Sequence, residues 1–204
     1  MQKRKNIELS ILFGLVFAVV LSFTGFDAAC KDIRENVVRL HIVANSDTKT
    51  DQAVKLKVRD AILKNSENIF LNAENYENAV KECKENLDFF EDIANTVLKE
   101  NGFNYTATAE FKTTYFKTRE YETFTLPAGN YEALNIKLGK NEGKNWWCVV
   151  FPSVCIPAAS QTDLSKSVSE KGVEITSNPQ KYVMKFKIIE IYEDIKNKFS
   201  KKSD

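Results

Sequence analysis

From Asn36 to Ala44 the chain alternates. Val38, Leu40, Ile42 and Ala44 fall on one side, Val37, Arg39, His41 and Val43 on the other. That period of two predicts a strand with one strongly apolar face. Asn45-Ser46-Asp47-Thr48 follows, and short side-chain oxygens in such a cluster favour a turn and a helix N-cap. In the next segment Val54, Val58, Ala61 and Ile62 make one apolar stripe, with Leu56 and Leu63 on a second edge. Two edges predict a helix that lies on a sheet and also touches a neighbouring helix. Tyr76, Val80, Cys83, Leu87, Phe90, Ala94 and Val97 recur at spacings of three and four, which predicts one long helix over 73–101. Gly102 then suits a left-handed cap.

The pattern changes at Asn104. Tyr105 to Thr113 alternates with Thr, Tyr and Phe at the positions favoured in sheets. Glu120 to Leu126 reads as a short strand, Pro127 to Asn130 as a turn, and Tyr131 to Leu138 as a further strand. Gly139 to Lys144 reads as a turn, and Trp146 to Phe151 is so apolar that it predicts a central strand. Ala158 to Gln180 is rich in Ser, Lys, Thr and Glu and reads as a loop or linker. Met184, Ile188, Ile191, Ile195 and Phe199 recur as on a helix, which ends in lysines. The order predicts an α+β fold, an antiparallel sheet packed with helices.

The amino terminus stands apart. Lys3-Arg4-Lys5 precedes an apolar run from Leu9 to Phe26. A basic end before an apolar stretch is the layout of an export signal or a membrane anchor, with the rest of the chain outside the cytoplasm. Cleavage needs small residues at −3 and −1, yet a cut after Ala29 puts Asp27 at −3, and a cut after Ala28 puts Phe26 there. Ala28-Ala29-Cys30 faintly resembles a lipoprotein site, but Asp27 sits where an aliphatic residue belongs. Cleaved signal and uncleaved anchor both stay open. The segments therefore read as 1–30 signal peptide or anchor, 31–157 the α+β domain, 158–180 loop or linker, and 181–204 an amphipathic helix with a basic tail.

Composition changes the picture by exclusion. The 29 basic residues balance 28 acidic ones, so no basic excess points to nucleic acid. A single histidine, His41, and no paired CxxC leave no pattern for a metal site, and no cofactor motif occurs. His41, Ser46 and Asp47 lie close in sequence, which raises a secreted hydrolase as the alternative function. No GxSxG elbow supports it. In Trp146-Trp147-Cys148-Val149-Val150-Phe151-Pro152-Ser153-Val154-Cys155, the short turn permits a Cys148–Cys155 disulfide in an exported chain. On a strand the two tryptophans face opposite ways, so one belongs to the core and the other to the surface or a partner.

Two long stretches carry a likeness. Arg39-Leu-His-Ile-Val-Ala-Asn-Ser-Asp47 with Asp51 to Asp60, and Gly129 to Leu134 followed by Asn145 to Cys155, resemble the stage II sporulation protein R family over about residues 33–157. Pro152-Ser153-Val154 departs from the Pro-Pro-Leu that many members carry. The resemblance implies a protein exported from the forespore of an endospore-forming bacterium into the intermembrane space. There it would activate a membrane-embedded aspartic protease that processes the sigma-E precursor, and it would not be an enzyme. The partner-binding residues expected from these stretches are Asn45, Ser46, Asp47, Trp146 and Trp147. The membrane is a second partner through residues 9–26 if the segment is uncleaved.

Overall fold

The computed structural model describes residues 2–121, 123–153 and 164–200. They form two compact units. One comprises residues 34–116 and 130–168, the other residues 1–33, 117–129 and 169–204.

The larger unit is built on a four-stranded sheet. Its strands are β1 (Val38–Val43), β2 (Ala107–Phe116), β5 (Gly129–Leu138) and β6 (Asn145–Phe151), in the order β2-β5-β1-β6. Helices α2 (Lys49–Asn65), α3 (Glu67–Leu71), α4 (Tyr76–Glu85) and α5 (Leu87–Glu100) come between β1 and β2. Alternation sends Val38, Leu40 and Ile42 of β1, Leu134, Ile136 and Leu138 of β5, and Cys148 and Val150 of β6 into one core. Val54, Val58 and Ile62 of α2, Cys83 of α4, and Phe90, Ala94 and Leu98 of α5 meet them there. The fold class is α+β, as the element order predicts.

The sheet is mixed rather than antiparallel. β1 pairs with β6 antiparallel, but with β5 parallel, with Leu40 opposite Leu134 and Ile42 opposite Ile136. A parallel neighbour needs a long crossover, and here the crossover carries four helices and three strands, β2 among them. β2 then runs opposite to β5: the Gly139 N–H donates to the Thr106 carbonyl at one end, and the Thr113 hydroxyl bonds Glu132 further along. β6, expected to be central, is an edge strand. Its apolar character reflects burial of Cys148 to Phe151 on both sides, not a position between two strands.

Other local expectations shift for identifiable reasons. The helix expected over 73–101 is two helices, because Asn86 leaves helical dihedrals at φ −111°, ψ 22° and its side-chain amide donates to the Glu82 carbonyl. Gly102 takes φ 75° and closes α5, as the sequence predicts. Leu63 joins the core, while Leu56 is exposed. The cap of α2 is Thr48, whose hydroxyl accepts from the Asp51 N–H.

In the second unit α1 runs from Gln2 to Glu35, and β3 (Arg119–Glu120) and β4 (Thr125–Leu126) form a small antiparallel pair. Part of the stretch expected as loop is α6 (Glu170–Ser177), capped by Ser169 through the Gly172 N–H. α7 spans Val183–Ser200. The stripe from Met184 to Phe199 that marks α7 in the sequence is exposed, and Phe186 and Ile189 are the helix's buried apolar positions among the described residues. They pack with Phe26, Ala29 and Cys30 of α1 and Ile175 of α6.

Candidate functional site

The first stretch that carries the family likeness ends in the turn 45–48, and the fold docks it against the turn 139–144, which links the two halves of the second. Asn45 Oδ1 accepts from the Lys140 N–H at 2.9 Å, and Asp47 Oδ1 accepts from the Lys144 N–H at 2.7 Å. Backbone bonds reinforce the contact, Gly143 N–H to the Ala44 carbonyl and Glu142 N–H to that of Asn45. Two glycines make the approach possible. At Gly139, with φ 56°, an added Cβ would sit 2.3 Å from Asn45 Oδ1; at Gly143 it would sit 2.3 Å from the Ser46 carbonyl oxygen.

Asp51, on the first turn of α2, organises the corner from below. Its Oδ2 accepts from Ser46 Oγ at 2.5 Å and Asn45 Nδ2 at 2.9 Å, and its Oδ1 accepts from the Tyr105 hydroxyl at 2.7 Å. Burial raises the pKa of this carboxyl, but the bonds from Ser46, Tyr105 and Asn45 outweigh it and hold Asp51 below its ordinary value. Burial and the same carboxylate push the Tyr105 phenol upward. Lys55, also buried, donates to Gln52 Oε1 at 2.6 Å and to the Lys144 carbonyl at 2.9 Å. Burial lowers its pKa.

Of the expected site residues, Asn45 and Ser46 are half-buried and spend their polar groups inside this corner, while Asp47 is exposed. His41 lies apart from them. Its Nδ1 is 2.8 Å from Asn135 Oδ1 and its Nε2 is 2.9 Å from Asn145 Oδ1. Burial keeps its pKa below 6.5 despite these bonds. With both ring nitrogens held by carboxamides, and the Ser46 hydroxyl donating to Asp51, His41, Ser46 and Asp47 form no nucleophile–base relay in this geometry.

The tryptophans divide as strand alternation requires. Trp146 packs against the helix-covered core, with the Arg59 guanidinium 4.3 Å from its ring centroid. Trp147 faces the other way and stacks on His41, centroids 4.1 Å apart and planes 1° from parallel. Both are half-buried, so neither is purely core. Around Trp147 lie Phe116 at 4.8 Å and, over Phe116 at 4.2 Å, the guanidinium of the fully buried Arg39. Arg39 Nε donates to the Cys148 carbonyl at 3.1 Å. Cys148 is disulfide-bonded, and Cys155 lies outside the described residues. Cys30 and Cys83 are reduced and buried.

Sequence reasoning missed Asp51, Tyr105, Asn135, Asn145 and Arg39 as parts of the site. An acidic residue three places after an N-cap threonine was a signal for Asp51. The others are identified only by what the fold brings opposite them. A cleft of about 450 Å³ is lined by Asn68, Ile69, Asn72, Asn78, Lys81 and Glu82, and none of the candidate residues lines it. Among the described residues no group of His, Cys, Asp and Glu could hold a metal ion.

Residues 34–161 match the family model described as stage II sporulation protein R (spore_II_R). The chain is 34% identical over 139 residues to "Stage II sporulation protein R" of Bacillus subtilis (strain 168), a match that covers 68% of this chain and 62% of that relative. The aligned region thus spans less than two thirds of the relative's length. No solved structure matches. Both quoted motifs, and the corner they build, fall inside the matched residues, and the chain belongs to the stage II sporulation protein R family.

Proposed function

We propose that this protein is an exported signal of endospore formation that switches on a membrane-embedded aspartic protease, which then processes the sigma-E precursor. Its place of action is the intermembrane space between forespore and mother cell. It acts by contact and not by catalysis. One observation carries the contact reading: the end of the first family stretch and the turn that links the two halves of the second, 95 and 97 residues apart at their bonded positions, fold into one interlocked corner. In that corner the Ser46 hydroxyl donates to Asp51, a carboxylate held below its ordinary pKa and so a weak base, and His41 lies apart with both ring nitrogens on carboxamides. Asn45 and Ser46 shape the corner from within, and the groups offered to a partner are Asp47, the exposed turn from Lys140 to Glu142, and the half-buried Trp146 and Trp147. A Cys148–Cys155 bridge would close the strand end beside it.

Moving a protease from 1:99 to 99:1 active requires about 5.5 kcal/mol of preference for the active state. Hot-spot residues are worth about 2–4 kcal/mol each, so one tryptophan and a few polar anchors suffice. The test is processing of the precursor by the protease in a reconstituted membrane, with and without this chain. Ser46→Ala in a folded chain should leave processing in place, and Trp147→Ala should abolish most of it. Complete loss with Ser46→Ala at unchanged stability would instead favour the hydrolase alternative.

A further inference from the structure

We infer that the N-terminal segment is never shed: α1 is at once the anchor of this protein in the bilayer and a structural helix of its smaller unit. The inference rests on packing within that unit and not on the signalling proposal.

α1 is one unbroken helix from Gln2 to Glu35, yet its two halves have opposite surroundings. Ile7, Leu9, Ile11, Leu12, Phe13, Leu15, Phe17, Val19 and Leu21 are each at least half exposed, a surface that water does not tolerate along so many turns. By length and composition the helix is apolar enough to cross a membrane. At 1.5 Å per residue the exposed run from Asn6 to Leu21 spans about 24 Å, most of a hydrocarbon core of about 30 Å, and the turn from Ser22 to Phe26 then emerges at the membrane surface. The basic residues Lys3 to Lys5 precede the run and Asp27 follows the turn, so charge sits at both ends of the span.

At Phe26 the environment reverses. Phe26 is 1% exposed and Cys30 0%. The Phe26 ring stacks on Tyr182 at 5.6 Å and meets Phe186 edge-on at 5.3 Å. Ala29 and Cys30 share that core with Ile175 and Ile189. Polar ties flank it: Lys185 Nζ donates to Ser22 Oγ at 2.5 Å, and Asp32 Oδ2 accepts from the Ser169 N–H at 2.8 Å, at the start of α6. A cut after Ala28 would remove Ser22 and Phe26, the one aromatic ring that α1 gives to this core, and a cut after Ala29 would remove Ala29 as well. The same burial opposes lipidation of Cys30, since a lipidated cysteine becomes a new exposed amino terminus. The poor residues at −3, Asp27 or Phe26, agree with a segment not built for cleavage.

The experiment uses the full chain with a C-terminal affinity tag, expressed in an endospore-forming host with its own signal peptidases. Intact mass of the purified protein should show every residue from the amino terminus, apart from routine removal of Met1. The protein should stay in the membrane pellet after an alkaline carbonate wash. A species starting at residues 28–31, or one carrying a diacylglycerol on Cys30, would overturn the inference. A second measurement follows the packing. In detergent, Phe26→Ala should speed proteolysis within residues 164–200 by about tenfold or more, Phe26→Leu less, and Phe17→Ala not at all, with tryptophan fluorescence confirming that the larger unit remains folded. Equal rates for Phe26→Ala and wild type would also refute it.

Discussion

Asp51→Asn tests the corner most directly. The carboxylate takes three side-chain donors, Ser46 and Asn45 on Oδ2 and Tyr105 on Oδ1. A carboxamide has one oxygen. Its best rotamer keeps that oxygen toward Ser46 and Asn45 and turns the NH₂ toward Tyr105, whose hydroxyl can rotate to accept. The loss is then chiefly the strength of charge-assisted bonds, about 1.5–3 kcal/mol for hydrogen bonds to a charged group. A negative charge at the start of α2 adds about 0.3–1 kcal/mol. The expected cost is about 2–3 kcal/mol at pH 7. Because Asp51 titrates below its ordinary value in the fold, its contribution is complete above the unfolded pKa of about 3.9 and is lost as pH falls through the folded value. The gap between wild type and variant should therefore close below about pH 4. The assay is urea unfolding of the full chain in detergent, followed by tryptophan fluorescence. Both tryptophans lie in the larger unit, so the signal reports that unit alone. A variant as stable as wild type at pH 7, or a gap that persists unchanged into acid, would refute the reasoning.

Three further outcomes are expected. Gly143→Ala places a methyl against the Ser46 carbonyl and should cost about 2 kcal/mol or more in the same unfolding assay; a neutral substitution would mean the two turns do not dock. The imidazole of His41, held neutral chiefly by burial, should titrate by NMR below 6.5. Stability should fall with acid below that pH, since the unfolded chain then binds a proton that the folded one resists; a midpoint above 6.5 would contradict this. Thiol titration of denatured, unreduced protein should find two thiols, Cys30 and Cys83. Cys155→Ser should then cost about 2–3 kcal/mol, the small end for a short loop, whereas four thiols would remove the bridge.

Local pattern alone determined much of this protein. The strands near 38–43, 107–116 and 131–138, the Gly102 cap, the helix after Thr48 and the apolar span of α1 are each set by residues within a few positions of one another. Period, cap chemistry and an uninterrupted apolar run act over that range. What needed the tertiary structure was every choice between equivalent faces or neighbours. Val38 to Val43 alternates, yet neither face is open to water: Val38, Leu40 and Ile42 meet the helices, while Arg39 lies over Phe116 and Tyr131 and His41 stacks on Trp147. α7 has two apolar faces, and only Phe26 and Ile175 decide that Phe186 and Ile189 go inside while Met184 and Ile188 stay out. Asp51 reads as an ordinary first-turn acid until Tyr105, 54 residues on, supplies a hydroxyl to it. The physical reason is the same in each case. A side chain's periodicity assigns it to a face, but what that face meets depends on segments brought from far along the chain, and their pairing is stabilised only when the whole core closes.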